Sequence, residues 1–250
     1  MRLKDKVIIV TGGANGIGRV YCEHLFREGA FLVIADTDIA TAEALASDMN
    51  AEAGDRRATA LPVDVTSQSD TRLMAQTTLQ TFHRIDVLLN NAGSYPHVAF
   101  EAITYEAWRR VMAVNLDSIF LCSRAVLDHM KAQKSGKIVN IATNLVWSGL
   151  EEMVHYVAAK SGVVGFTRSL AREVGKFGIT VNAVAPGAVV PEARLSETGR
   201  QRVEDVIRYQ CVKRGQRPED LVGIITFLCS PESDFISGQV ITVDGGLTMH

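Results

Sequence analysis

The chain lacks most of what specialised small folds depend on. Its four cysteines, Cys22, Cys122, Cys211 and Cys229, are widely scattered through 250 residues. They form neither a disulfide framework nor a zinc-ligand spacing. No apolar run approaches the roughly 18 residues of a membrane span. Arg2, Lys4 and Lys6 stand ahead of the run Val7-Ile8-Ile9-Val10, but that run is too short for the hydrophobic region of a signal peptide. Charge of one sign is lacking too. The net charge is −2 and the isoelectric point about 6.3, which leaves no electrostatic footprint for nucleic acid or an anionic membrane. No linker, repeat or low-complexity tract stands out. The expectation is a cytoplasmic globular protein with free thiols, no metal site, and no nucleic-acid or membrane partner.

What is present is apolar and periodic. Hydrophobic residues make up 47% of the chain, enough for one sizeable core and one domain over 1–250. Short runs rich in β-branched residues occur at 7–10, 31–35, 58–63, 87–89, 137–142, 179–185 and 240–243. Several are continuously apolar, as strands buried on both faces of a parallel sheet must be. Between them lie helical patterns at about 17–28, 39–53, 67–83, 104–133, 156–176 and 218–229. Ser67-x-x-Asp70 reads as a capping box at the start of the third. Repeated strand–helix alternation predicts an α/β fold, a doubly wound parallel sheet of about seven strands with helices on both faces. Ligands of such sheets sit at the carboxyl ends of the strands.

The residues after each strand are therefore the candidates. Thr11-Gly12-Gly13-Ala14-Asn15-Gly16-Ile17-Gly18 follows the first strand. Glycines there permit a tight turn and close backbone approach to a pyrophosphate, which then meets a helix amino terminus. Asp36 follows the second strand, eighteen residues beyond Gly18. A carboxylate there accepts both hydroxyls of an adenosine ribose and repels a 2′-phosphate, favouring NAD over NADP; the plainer reading is a cap for the next helix. Asp64 and Val65 follow the third strand, where side chain or backbone can meet the adenine. Asn90-Asn91-Ala92-Gly93 follows the fourth, with amides for cross-strand hydrogen bonds. Asn115 lies inside an apolar helix, where asparagine is unfavourable unless hydrogen-bonded; a satisfied core amide is the alternative. Tyr156 and Lys160, four residues apart on one helix, stack on one face. A phenol titrates near ~10, and a cation about 4 Å away in a partly buried site is worth up to about 4 kcal/mol. That would bring the phenol towards the working range of a general acid/base, although the same spacing arises often by chance.

Taken together, these motifs resemble the short-chain dehydrogenase/reductase family. The ordered set Thr11-Gly12-x-x-x-Gly16-x-Gly18, Asn90-Asn91-Ala92-Gly93, Asn115, Tyr156-x-x-x-Lys160 and Pro186-Gly187 carries the resemblance, which runs on to Ser237-Gly238-Gln239 and Asp244-Gly245-Gly246. It implies a Rossmann-type fold, a homotetramer and hydride transfer between a secondary carbinol and bound NAD. Tyr156 would be the general acid/base. Lys160 would lower the Tyr156 pKa and bind the nicotinamide ribose, and Asn115 would hold a water linking Lys160 to solvent. The resemblance also implies cofactor contacts from Gly12, Asn15, Gly16, Ile17, Gly18, Asp36, Asp64, Val65, Asn91, Ala92, Gly93, Tyr156, Lys160, Pro186, Gly187 and Val189. The chain departs from the family twice. Thr143 stands where the family has its serine, thirteen residues before the tyrosine, and its hydroxyl is expected to hold the substrate oxygen. Pro191 replaces a threonine that grips the nicotinamide carboxamide, with Val189, Ser196 or Thr198 as substitutes.

The two departures leave open a catalytically impaired, NAD-binding regulatory protein. An epimerase or dehydratase is disfavoured, because such relatives carry a longer substrate domain. The substrate side is expected at Tyr95, Asn144, Leu145, Trp147, Met153 and Val190, with 187–215 as a substrate-binding loop. Apolar and aromatic residues dominate there, matching a hydrophobic or aromatic substrate; packing of Leu145 or Trp147 in a core or subunit contact is the alternative. Asn144, Glu151, Glu152 and His155 keep a sugar or polyol in view, and a hydroxyacyl substrate is the further alternative. Ala158, Gly162, Gly165 and Ser169 form a small-residue stripe, which suits either close subunit packing or packing within the chain.

Overall fold

A computed structural model of the protein describes residues 1–189 and 197–249, with the backbone alone for residues 197–200 and 202. The strands are β1 (Val7–Thr11), β2 (Phe31–Asp36), β3 (Ala58–Pro62), β4 (Val87–Asn90), β5 (Gly136–Ile141), β6 (Ile179–Pro186) and β7 (Val240–Val243). They form one seven-stranded sheet in the order β3-β2-β1-β4-β5-β6-β7, and every neighbouring pair is parallel. Strand order reverses between β1 and β4, so the crevice for a ligand opens at their carboxyl ends. β1, β4 and β6 are buried along their whole length. That is why they read as continuous apolar runs and not as alternating ones.

The helices are α1 (Gly16–Arg27), α2 (Ile39–Ala53), α3 (Gln68–Phe82), α4 (Tyr105–Met112), α5 (Ser118–Gln133), α6 (Leu145–Ser148), α7 (Val154–Val174), α8 (Glu197–Tyr209) and α9 (Glu219–Cys229). One face of the sheet is covered by α1, α2 and α9, through Leu25, Leu45 and Leu228 against Ile8, Leu32 and Val139. The other face is covered by α3, α5 and α7, through Met74, Val126 and Val174 against Ile9, Leu88 and Ile138. Each such fully buried side chain contributes about 1.5–3 kcal/mol of transfer free energy. The Ser67 cap forms: its Oγ accepts from the Asp70 amide at 3.3 Å and donates to the Asp70 carboxylate at 2.8 Å. Among the described residues no helix is long and apolar enough to cross a membrane.

Four stretches differ from the sequence expectation. The single helix over 104–133 is α4 and α5 joined by a π-helical turn, Ala113–Asp117. An extra residue in a turn leaves apolar periodicity almost unchanged, and such turns concentrate at functional sites. Asn115 sits inside this one. The helix expected to open at Tyr156 opens at Val154, and α6 stands where the sequence assigns no element. The expected loop 187–215 contains α8, while Val190, Pro191 and Ser196 lie outside the described residues.

Candidate active site

The glycine turn between β1 and α1 folds as its composition requires. Gly12 and Gly16 have φ of +63° and +56°, a left-handed conformation that costs other residues strain. A methyl group on Gly18 would lie 2.0 Å from the Gly12 carbonyl oxygen, so only glycine lets α1 approach the turn. Asn91 braces the turn from β4, with its Nδ2 donating to the Thr11 and Gly12 carbonyls at 3.0 Å each. The Thr11 hydroxyl accepts from the Asn91 and Ala92 amides. Asn91 thus shapes the cradle with its amide group instead of offering it to a ligand. Asn15 is the N-cap of α1, yet its side chain does not cap the helix; its amide donates to Asp38 at 3.0 Å. The first-turn N–H groups of α1, including that of Ile17, keep their capacity for an anion. The residues present fit a dinucleotide: a cradle that a Cβ would fill, ending at an uncapped helix.

At the end of β2, Asp36 accepts from the Ala14 amide and the Asp38 amide at 3.0 Å each. The helix cap is Asp38, which accepts from the Thr41 amide at 3.2 Å, so the plainer reading of Asp36 falls to its neighbour. Asp38 is held below the usual carboxylate range by hydrogen bonds from Thr41 and Asn15. Beyond β3, Asp64 is exposed and accepts from the Thr66 amide and hydroxyl, while Val65 is buried in the core.

The reacting groups gather beyond β4 and β5. Asn90 donates to Asn140 on β5, and Asn140 to Thr167 on α7, at 2.9 Å each. This buried chain fastens α7 beneath the site. Thr143, just past β5, is buried, and its hydroxyl lies near enough to that of Tyr156 to pull the Tyr156 pKa down. Its Oγ1 also accepts from the Leu145 amide at 3.3 Å, so Thr143 caps α6 while facing Tyr156. Lys160 is buried and donates to the Ile141 carbonyl at 2.6 Å. Its Nζ lies 5.9 Å from the centre of the Tyr156 ring. Burial lowers the Lys160 pKa to about 8. Tyr156 is pushed up to about 12 by burial, with the Thr143 hydroxyl pulling the other way. The expectation that Lys160 by itself depresses Tyr156 is therefore corrected: the ammonium turns to a carbonyl, and desolvation of the phenolate wins.

Asn115 donates through Nδ2 to the carbonyls of Ser94 and Val111, at 2.8 and 3.0 Å, and accepts through Oδ1 from the Ser94 amide at 3.2 Å. Its side chain straps the segment after β4 and has no donor left for a relay water; only Oδ1 or the peptide carbonyl can hold one. A Cβ on Gly93 would sit 2.9 Å from Asn115 Oδ1 and 3.7 Å from Lys160 Nζ. Gly93 is thus the gap that lets these groups come close.

On the substrate side, Tyr95 is 68% exposed and stands edge-on to Tyr156, with ring centres 6.3 Å apart. Trp147 is partly open and Leu145 half-buried. Met153 is buried, as is His155. Asn144 is corrected: it is buried and its amide donates to Asp244 at 3.1 Å, so it does not line an open pocket. Two of the four residues that kept a sugar in view, Asn144 and His155, are thereby withdrawn from a ligand. Gly187 donates to the Val243 carbonyl and to Gln216, Pro186 accepts from the Asn144 amide, and Val189 bridges to Gln216. Asp244 and the Ile141 carbonyl were not among the sequence candidates. The carboxylate in Asp244-Gly245-Gly246, directly after the last strand, was the available signal.

A doubly wound parallel sheet with this glycine turn and this Thr–Tyr–Lys group defines a class, the dinucleotide-fold oxidoreductases. Within it, the chain belongs to the short-chain dehydrogenase/reductase family. The family model described as enoyl-(acyl carrier protein) reductase matches residues 12–248. A 3-oxoacyl-[acyl-carrier-protein] reductase from Synechocystis sp. is 36% identical over 99% of this chain and 98% of the relative. The (2S)-[(R)-hydroxy(phenyl)methyl]succinyl-CoA dehydrogenase subunit BbsD of Thauera aromatica is 34% identical over 100% of this chain and 99% of its own. A solved structure assigned as a short-chain alcohol dehydrogenase, from Sinorhizobium meliloti, superposes with a TM-score of 0.92 at 27% identity, covering 98% of this chain and 97% of the other.

Proposed function

We propose that the protein is an NAD-dependent oxidoreductase acting between a secondary alcohol and its ketone, with Tyr156 as general acid/base. The observation that carries this reading is the meeting of Thr143, Tyr156 and Lys160 beyond β5, on the side of the sheet where the glycine turn opens. Bound NAD supplies the hydride acceptor. In oxidation, the Tyr156 phenolate oxygen takes the hydroxyl proton, and in reduction it returns it. The Thr143 hydroxyl donates to the substrate oxygen, whose negative charge grows in the transition state. The buried Lys160 ammonium meets the nicotinamide ribose, and orientation of the carbinol carbon supplies much of the rate. The segment 187–215 is proposed to contribute to substrate binding.

NAD is supported by Asp36 together with Asp38 beside it, and by the absence of a cation at Asn15 or Thr37. Wild type is expected to use NAD at least tenfold more efficiently than NADP. Asp36→Ala with Thr37→Arg should move that ratio towards NADP by about tenfold or more, equivalent to about 1.4 kcal/mol. Steady-state kinetics with both cofactors decides it, and equal efficiency in the wild type sinks the assignment.

An aromatic or otherwise hydrophobic carbinol is supported by Tyr95 beside Tyr156 and by the partly open Trp147 on α6, and by a relative whose name carries a hydroxy(phenyl)methyl group. A hydroxyacyl thioester is the second reading, favoured by the 3-oxoacyl reductase at 36% identity. NADH formation across aryl carbinols, hydroxyacyl thioesters and sugars separates them. No turnover across that panel in NAD-binding protein would favour the impaired, regulatory reading instead. The assembly is proposed as a homotetramer. Gly162 packs within the chain, where a Cβ would meet Leu116 at 2.7 Å, whereas Gly165 has open space and is free to receive a second copy.

A further inference from the structure

Asp244 is 5% exposed and has no cation paired with it among the described residues. A carboxylate in that position is costly unless its lone pairs are filled by donors. They are. Oδ2 accepts from Asn144 Nδ2 at 3.1 Å, the Thr248 amide at 2.9 Å and the Thr248 hydroxyl at 2.7 Å. Oδ1 accepts from the amides of Gly246 at 3.1 Å and Leu247 at 3.2 Å. Burial pushes the Asp244 pKa up, but the hydrogen bonds from Thr248 and Asn144 outweigh it and the net direction is down. The group is ionised at neutral pH.

The carboxylate stands where three parts of the site cross. Asn144 is the residue after Thr143, and its own amide is held by the Pro186 carbonyl at 2.9 Å. The backbone of Gly187 lies so close that a Cβ there would be 3.0 Å from Asp244 Cβ. The turn after Asp244 accepts the Val212 amide at Gly245 and the Cys211 thiol at Gly246, which joins it to the segment following α8. Gln216 completes the crossing, accepting from Gly187 and donating to the Val243 carbonyl.

We propose that Asp244 is a positioning residue of the active site, fixing through Asn144 the turn that presents Thr143 and through its own turn the segment after α8. It touches no reacting atom in this scheme. The inference rests on the proposed role of Thr143, because its effect on rate passes through that hydroxyl. Loss of the anchor lets the 143–146 turn move, and a displacement near 1 Å costs about 10²-fold in a reaction that depends on alignment.

The test compares wild type, Asp244→Asn and Asn144→Ala. Asparagine keeps the shape but replaces one acceptor oxygen by a donor, so at least two of the five hydrogen bonds must fail. Asn144→Ala cuts only the link to Thr143 and leaves the carboxylate its other four donors. Two readouts are taken on folded protein: hydrogen–deuterium exchange of the peptide over 142–149, and kcat with its primary isotope effect on a carbinol deuterated at the reacting carbon. Both variants are expected to exchange faster over 142–149, to lose at least about tenfold in kcat, to show a larger isotope effect, and to bind NAD within about threefold of wild type. A merely destabilised protein would lower the active fraction and leave the isotope effect alone, which overturns the inference. So does exchange and kcat within twofold of wild type in either variant. If Asp244→Asn does not fold, Asn144→Ala decides alone. The exchange readout needs no substrate, so turnover surviving in Tyr156→Phe would break the proposed chemistry and leave the anchoring result standing.

Discussion

Tyr156→Phe is expected to abolish oxidation, with kcat falling by about 10³-fold or more and the NAD dissociation constant staying within about twofold. The substitution removes one oxygen and keeps the ring, including its edge contact with Tyr95. General acid/base groups contribute about 10²–10⁴. Among the described residues no neighbouring side chain stands ready to take over: Thr143 is a poor base, and Lys160 is committed to the Ile141 carbonyl. The pH dependence has a definite sign. Oxidation needs the phenolate, and burial places the Tyr156 pKa at about 12. Oxidation should therefore rise with pH through the neutral and alkaline range, and reduction, which needs the phenol, should fall. The positive charge of oxidised nicotinamide lowers the midpoint below that of the protein alone. A few per cent of wild-type kcat in Tyr156→Phe, or an oxidation rate flat with pH, contradicts the assignment.

The second large effect is expected at Thr143. Thr143→Val keeps the branched shape and deletes the oxygen that faces Tyr156. Loss of one donor to a developing oxyanion costs about 10²–10³ in rate, so kcat should drop by that factor with little change in NAD affinity. Thr143→Ser keeps the hydroxyl and should remain within about tenfold of wild type, losing only rotamer restriction and a methyl contact. The structure sharpens the competing explanation, because Thr143 also caps α6 through the Leu145 amide. A residue that only capped would leave kcat of folded, NAD-binding Thr143→Val near wild type, and Ser148→Ala would then be the crippling change. The stopped-flow rate of NADH formation in the three variants distinguishes these outcomes.

The fold was legible where burial on both faces left a one-letter signal. The seven apolar runs became the seven strands, with β7 falling on its expected bounds and the others shifted by a residue or two. α2 also fell on its expected bounds. What escaped was local geometry that periodicity does not encode. Four residues of α6 are too few to show a period, and α8 is mostly polar and charged, with a narrow apolar stripe of Val203, Val206 and Ile207. The π turn at Ala113–Asp117 announced itself only through Asn115, an asparagine in an apolar stretch that had to be bonded.

In the site, spacing placed Tyr156 and Lys160 on one face, but spacing says nothing of where an ammonium turns, and it turns to Ile141. Asn144 was misread for a related reason. A polar residue at the end of a strand near the site looks like a pocket wall until its partner, Asp244, one hundred positions away, is in place. Asp36 stands at the end of β2, and the cap named as its alternative role belongs two residues later, to Asp38.

The most direct measurement follows the hydride itself. 1-Phenylethanol deuterated at the carbinol carbon is incubated with NAD and the wild-type protein, and the reduced cofactor is analysed by mass spectrometry, with Tyr156→Phe run in parallel. The account predicts deuterium in NADH in equal amount to the ketone formed, on one face of the ring, and none in Tyr156→Phe. If that carbinol is not a substrate, the same label on the best alcohol or hydroxyacyl thioester of the panel serves. NAD bound to the folded wild type without label transfer from any of them, or label transfer undiminished in Tyr156→Phe, would contradict it.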